Sequence, residues 1–395
     1  MRKRKLLSRQ KRFLIFTLLG ISAFGALYSF FFFENKTAKS DVAKASLSKE
    51  RYIIYPAQYS DTHITVNAIE GDPRFKNLSI FPREDLVANV AQSIKLNRVT
   101  KNSGQAEKGT WLWTPVLDIT PKYRNSIITG AKKHGIRNIY ISIDSYLDIF
   151  VMEDGPEKDR KKKMFDDILE DFITEAHKNN ITVDAEGGWR NWAEEGHIYK
   201  AFAVVDYAIE FNKTHKEKLR GFQYDVEPYL LSYYQKDKMS VLRNFVTLIN
   251  ETVSRLHESD LALSVVIPEF YDGTGGETPQ FKYAGKTAYA IDHLLSVLER
   301  RPSSNIIIMS YRNFSLGDDG SVDISKHEVT SAKKYNTKII IAQEIGEVNP
   351  PYVTFHNTSK SYYEKQMQTI QKTFAKEKSY GGVAIHYINA LLELK

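Results

Sequence analysis

The chain has 395 residues, 42% of them hydrophobic, which is enough to bury a sizeable core and too many for a disordered protein. Its formal charge of +7 collects at one end: seven of the 55 Lys and Arg lie in the first twelve residues, and the other 48 balance 48 Asp and Glu. A basic excess of that origin leaves no footprint for nucleic acid, and the absence of cysteine excludes a disulfide framework.

Arg2, Lys3, Arg4, Lys5, Arg9, Lys11 and Arg12 precede an uncharged run over residues 13–33, and about 20 apolar residues suffice to cross a bilayer. The run is longer than the roughly 7 to 15 apolar residues of a secretory signal and ends in four phenylalanines. It reads as one uncleaved N-terminal transmembrane helix, with a cleaved signal as the alternative. Basic residues before the span keep the amino terminus cytoplasmic and place everything after it outside. Residues 34–50, rich in Lys, Ser and Ala, read as a linker. Residues 51–108 mix strand-like and amphipathic stretches and read as an extension packing on the domain that follows.

From residue 109 short β-branched or aromatic runs alternate with longer amphipathic patterns, the signature of parallel strands joined by helical crossovers. The expected strands are 111–118, 138–144, 182–186, 221–227, 262–269, 306–311, 338–344 and 382–387. Eight such strands close a (β/α)8 TIM barrel, whose usual size of about 250 residues suits the stretch 109–395. Chemistry in such barrels sits at the carboxyl ends of the strands. The residues expected there are Asp118, Asp144, Glu186, Asp225 with Glu227, Glu269, Tyr311, Glu344 and His386. Asp118, Asp144 and Glu269 could each line a cleft or cap the next helix.

Asp225 and Glu227 stand two residues apart at the end of the fourth strand, so alternation points both side chains into one site. Two acids so close are costly to bury unless paired or protonated, and coupling raises one pKa toward that of a general acid. The alternative is an interior ion-pair network with Arg220, Arg190 or Arg312. Trp111, Trp113, Trp189 and Trp192 fall on or after the first and third strands, where flat indole faces suit sugar rings.

Four motifs recur in order along these strands. They are Ala185-Glu186-Gly187-Gly188-Trp189 on the third, Arg220-Gly221-Phe222-Gln223-Tyr224-Asp225-Val226-Glu227 on the fourth, Met309-Ser310-Tyr311-Arg312 on the sixth and Gly381-Gly382-Val383-Ala384-Ile385-His386 on the eighth. Together they resemble the S-x-G-G, D-G-x-D-x-D-x-E, M-x-Y-D and G-G-V-M-x-W motifs of the family 18 glycoside hydrolases, the chitinases and their relatives. The resemblance implies a retaining mechanism in which Glu227 protonates the glycosidic oxygen and the substrate's N-acetyl group attacks the anomeric carbon. Asp225 would hold and polarise that amide, and Tyr311 would hydrogen-bond its carbonyl. The chain departs from the family at Arg220, Gln223 and Arg312, where acids are usual, and at His386, where Trp is usual. Gln223 in particular removes a proton partner for Asp225.

A second resemblance, to the retaining β-glycosidases that carry N-E-P on strand four, rests on Val226-Glu227-Pro228 and Gln343-Glu344-Ile345-Gly346. It implies Glu227 as acid/base and Glu344 as nucleophile.

The ten histidines show no metal-ligand spacing, so no metal or cofactor is expected. His134, His177, His215 and His257 fall near helix ends, where imidazole complements the helix dipole. The glycine-rich loop 272–277 lacks the Lys-Ser or Lys-Thr of a phosphate loop and reads as a mobile wall of the cleft. No G-x-S-x-G is present. The sequence therefore points to a membrane-anchored extracytoplasmic glycoside hydrolase acting on polysaccharide. Expected substrate-binding residues are Trp111, Trp113, Asp144, Glu186, Trp189, Glu269, Arg312 and His386. A non-catalytic glycan-binding barrel is the alternative.

Overall fold

The β-branched runs form strands β1 (Glu107–Leu112), β2 (Asn138–Ser142), β3 (Thr182–Gly187), β4 (Gly221–Tyr224) and β5 (Ala262–Pro268). After a hairpin of β6 (Phe281–Tyr283) and β7 (Lys286–Ala288) come β8 (Asn305–Met309), β9 (Lys338–Glu344) and β10 (Tyr380–His386). Apart from the hairpin, all are parallel and close into a barrel in the order β1-β10-β9-β8-β5-β4-β3-β2. This computed structural model describes residues 106–394. The expected cytoplasmic tail, anchor, linker and almost all of the extension 51–108 lie outside the described residues. Among the described residues, no helix is long and apolar enough to cross a membrane.

The helices are α1 (Pro121–Lys133), α2 (Tyr146–Phe150), α3 (Pro156–Lys178), α4 (Ile198–Thr214), α5 (Lys238–Arg255), α6 (Ala290–Leu298), α7 (Ser321–Ser331) and α8 (Lys360–Phe374), which lie between strands, and α9 (Ile388–Glu393), which follows the last. Local signals fix their ends. Thr120, Asp237 and Ser359 each accept a hydrogen bond from a first-turn amide of α1, α5 and α8 respectively. In α3, Pro156 opens the helix, Glu157 and Asp159 lie at its positive end, and His177 and Lys178 lie at its negative end. Outward residues such as Ile139, Ile141, Val183, Phe222 and Tyr224 join the inner faces of the helices in the main core. Burying each of these side chains stabilises the fold by about 1.5–3 kcal/mol.

Inward residues form three layers. At the amino-terminal end Arg220 donates to both Asp184 oxygens (2.9 and 2.6 Å) and to Glu107 (2.6 Å), and Asn138 also donates to Asp184 (3.0 Å). In the middle Trp111, Tyr140, Val266, Ile307, Ile340, Ala342 and Ala384 pack together. Trp111, expected to stack on sugar, is only 1% exposed, lies 5.1 Å from the Tyr140 ring, and donates its indole N–H to Gln223 at 2.6 Å. It fills the barrel instead. The third layer is the mouth.

Strand bounds differ from expectation where the ladder runs out. The first strand ends at Leu112, and Val116–Asp118 form a 3-10 turn after Pro115, which leaves Asp118 exposed and away from the rim. The fourth ends at Tyr224, so Asp225 and Glu227 lie just beyond it. Their alternation nevertheless persists: Phe222, Tyr224 and Val226 stay in the outer core, and the Asp225 amide still donates to Gly187 at 3.2 Å.

Two motif glycines make close approaches that other residues would block. A Cβ on Gly188 would sit 2.0 Å from the Asp225 carbonyl oxygen. Gly382 has φ of 131° beside a register shift in β10, and a Cβ there would meet the Glu107 carbonyl at 1.9 Å where β10 closes on β1. Gly188→Ala must therefore push Asp225 aside, with an expected loss of about 1–3 kcal/mol in urea unfolding. A variant as stable as wild type would contradict this packing.

Candidate active site

The mouth gathers carboxyls from neighbouring strands. Asp144 follows β2, Glu186 is the last but one residue of β3, Asp225 and Glu227 follow β4, and Glu344 ends β9 opposite His386 on β10. The register pairs Glu186 with Gln223, so β3 supplies a carboxyl at the level where β4 has an amide. Glu186 is close enough to Asp225 for their charges to act on each other.

Four of these acids lack compensating cations. Glu186 is 1% exposed with no well-formed hydrogen bond to either oxygen, only the Ser142 hydroxyl reaching toward it. One oxygen of Asp144 and one of Asp225 are shut off from water without a partner, while the other Asp144 oxygen accepts from the Gly188 amide at 3.3 Å. Burial, opposed only by that amide, pushes Asp144 up to about 8. Burial and the adjacent Glu227 push Asp225 up to about 8, with His386 pulling the other way. Burial and the charges of Asp144 and Asp225 lift Glu186 well above its ordinary value. Burial also raises Glu227, against the Tyr229 hydroxyl, which donates to Glu227 Oε1, and against His386. These groups titrate together.

Glu344 is different. It is 1% exposed, its Oε1 accepts from the amides of Ile345 (2.8 Å) and Gly346 (2.6 Å), and its Oε2 lies 2.7 Å from His386 Nδ1. His386 Nε2 in turn accepts the Trp113 indole N–H at 3.0 Å, a network that assigns the neutral Nδ1–H tautomer. Burial disfavours the imidazolium, but Glu344 and then Asp225 and Glu227 outweigh it and leave the pKa raised. A proton arriving at Nε2 costs the bond to Trp113, so the charge of the ring and the position of that indole are linked. Tyr311 stacks on His386 at 6.2 Å, and burial with the charges of Glu344, Asp225 and Glu227 keeps its hydroxyl protonated. Trp113 and Trp189 are half-buried, the latter beneath the Arg190 guanidinium.

Glu269 and Arg312 meet each other at the rim. Arg312 donates to Glu269 (3.0 Å), to both Asp319 oxygens (2.9 and 3.3 Å) and to the Tyr311 carbonyl (2.8 Å). Its guanidinium is thereby committed to an architectural network, as is that of Arg220 at the far end of the barrel, so neither neutralises Asp225 or Glu227. Loop 272–277 is tied down: Asp272 accepts from the Thr274 amide and hydroxyl (both 2.7 Å), and Lys238 donates to the Glu277 carbonyl (2.7 Å). A cavity of about 200 Å³ elsewhere, between α2, α3 and α4, is lined by Tyr146, Tyr207 and Asp206 among others. Asp206 is already paired with Arg255, so the unpartnered acids place any chemistry at the mouth instead.

No protein-family model matches the chain, and no curated protein matches it. Solved structures similar to it include a spore cortex-lytic enzyme of Bacillus megaterium, at 14% identity over 75% of each chain with a TM-score of 0.40. A GH18 chitinase of Pseudoalteromonas aurantia is 14% identical over 73% of this chain and 99% of the other, with a TM-score of 0.42. An endo-1,4-beta-D-mannanase of Thermotoga petrophila is 10% identical over 72% of this chain and 88% of the other, with a TM-score of 0.49. Likenesses of this degree do not bear on activity, and the barrel itself rests on its strand register.

Asp144 and Asp225 bind protons more tightly in the folded than in the unfolded chain, where carboxyls titrate near pH 4. Stability must therefore fall as pH rises from about 4 toward about 8. His386 adds to the fall, because a raised imidazole pKa contributes stability that is lost as pH climbs through it. Melting temperatures across this window should decline, and Asp225→Asn should flatten the decline. An unchanged slope in the variant would count against the coupled cluster.

Proposed function

We propose that this protein is a glycoside hydrolase, anchored in the membrane and cleaving polysaccharide outside the cytoplasm, with Glu227 as proton donor. One observation carries the reading: Glu227 sits at the barrel mouth with its carboxyl pKa raised, beside an Asp225 oxygen that has no partner. A carboxyl whose pKa is raised holds its proton more firmly than an ordinary one and can hand it to a glycosidic oxygen, which is what bond cleavage needs first.

The rest of the mouth suits a substrate that carries its own nucleophile, and the sugar would be an N-acetylhexosamine cleaved with retention. The unpartnered Asp225 oxygen is the natural acceptor for an acetamido N–H, and the protonated Tyr311 hydroxyl a donor for its carbonyl. Glu186 takes the role of the acid absent at Gln223, sharing protons with Asp225 as the acetamide is polarised. The half-buried Trp113 offers an indole face for a sugar ring, and Trp189 would do so on Arg190 moving off its ring. Both oxygens of Glu344 are engaged, which disfavours it as a nucleophile and makes it a positioning residue for His386. The anchored, extracytoplasmic location rests on the charge and apolar run of residues 2–33.

Glu227→Gln should lower the release of new reducing ends from cell-wall or exopolysaccharide preparations by roughly 100- to 10,000-fold while sparing binding. Glu344→Gln should cost far less and shift the pH profile through His386. Comparable losses would favour the two-glutamate mechanism, and binding without cleavage by the wild type would favour a glycan-binding barrel.

A further inference from the structure

Glu328, on the helix α7, is a buried acid that the mouth chemistry does not use. It is 1% exposed, and neither of its oxygens has a hydrogen-bond partner. A carboxylate buried without donors is costly, and such groups are stable only when something compensates the charge. The neighbours do not. Asp272, from the loop after β5, is 8% exposed and also acidic, and Glu269 adds negative charge. His327, the residue before Glu328, lies 3.1 Å from Asp272 through its Nδ1, and its side chain is half exposed.

One ligand atom from each of Asp272, His327 and Glu328 falls within 4.8 Å of the others; among the described residues no other His, Cys, Asp and Glu side chains gather so tightly. We propose that these three side chains bind a divalent transition cation of the zinc or manganese class. Two carboxylates and one imidazole supply two negative charges and the mixed oxygen and nitrogen donors that such ions take. Ions of this kind hold ligand atoms roughly 3.4 Å apart at bond lengths of about 2.1 Å. The His327 Nδ1 and Asp272 Oδ2 atoms already stand 3.1 Å apart, close to that spacing. Three protein ligands leave positions for water, and the exposed edge of His327 gives the ion its way in.

The histidines carry no metal spacing in the sequence because the ligands come from two segments far apart in the chain. Barrel closure sets β5 beside β8, and so brings the loop 272–277 against the helix that follows β8. The ion joins these two segments at one side of the mouth. Asp272 is held ready by its hydrogen bonds from Thr274, the outer-shell support that metal-binding carboxylates use.

The test uses the full-length chain in detergent, stripped with a chelator and titrated with Zn²⁺, Mn²⁺, Co²⁺, Mg²⁺ and Ca²⁺. We expect one equivalent of Zn²⁺, Mn²⁺ or Co²⁺ to bind, a higher melting temperature, and a visible Co²⁺ spectrum showing nitrogen ligation. Glu328→Gln keeps the volume of the side chain and removes its charge, so it should fold and lose roughly 100-fold or more in affinity, as should His327→Ala. Absence of stoichiometric binding, preference for Mg²⁺ or Ca²⁺, or affinity unchanged in a folded Glu328→Gln chain would overturn the site.

Discussion

Negative charge without matching positive charge is the constraint on which the barrel mouth depends. At the floor of the barrel and beside its rim, by contrast, pairs of acids each share an arginine. Asp184 and Glu107 meet Arg220, and Glu269 and Asp319 meet Arg312. At the mouth Asp144, Glu186, Asp225 and Glu227 crowd together, and the imidazole of His386, which acts on Asp225 and Glu227, is already bonded to Glu344. Such a cluster cannot ionise fully in a buried setting. It must keep protons at a pH where exposed carboxyls have lost theirs, and kept protons are what a general acid spends.

The backbone enforces that crowding. Alternation sends Gln223, Asp225 and Glu227 inward, while Phe222, Tyr224 and Val226 fix the opposite face among the helices. Gly188 removes the side chain that would otherwise separate the end of β3 from Asp225, and Gly187 does the same for Asp144, whose oxygen lies 2.7 Å from where a Cβ would stand. Carboxyls from β2, β3 and β4 therefore approach closely because two consecutive positions carry no side chain. Packing in the main core supplies the stability that this repulsion costs.

Much of this was legible in the sequence. The eight strands follow from β-branched runs at crossover spacing, and β9 matches its expected bounds of Lys338–Glu344. Asp144, Glu186, Asp225, Glu227, Tyr311, Glu344 and His386 all reach the mouth as strand-end positions. What the pattern could not convey was partnership across the barrel. Trp111 and Trp113 are two residues apart on one inward face, yet a difference in depth makes the first a core residue and leaves the second at the rim. Arg312 and Glu269 read as separate rim residues, but barrel closure joins them, and the same closure joins Asp272 to His327 and Glu328. The strand termini, by contrast, shifted for a local reason. Proline and the end of the ladder stopped β1 at Leu112, which the aromatic composition of the following residues concealed.

Infrared difference spectroscopy of the carboxyl C=O band, followed from about pH 5 to about pH 9, tests the protonated cluster most directly. Protonated carboxyl signal should persist above neutrality and diminish in Asp225→Asn and Asp144→Asn. Loss of all such signal by about pH 5, where ordinary carboxyls have ionised, would contradict the account.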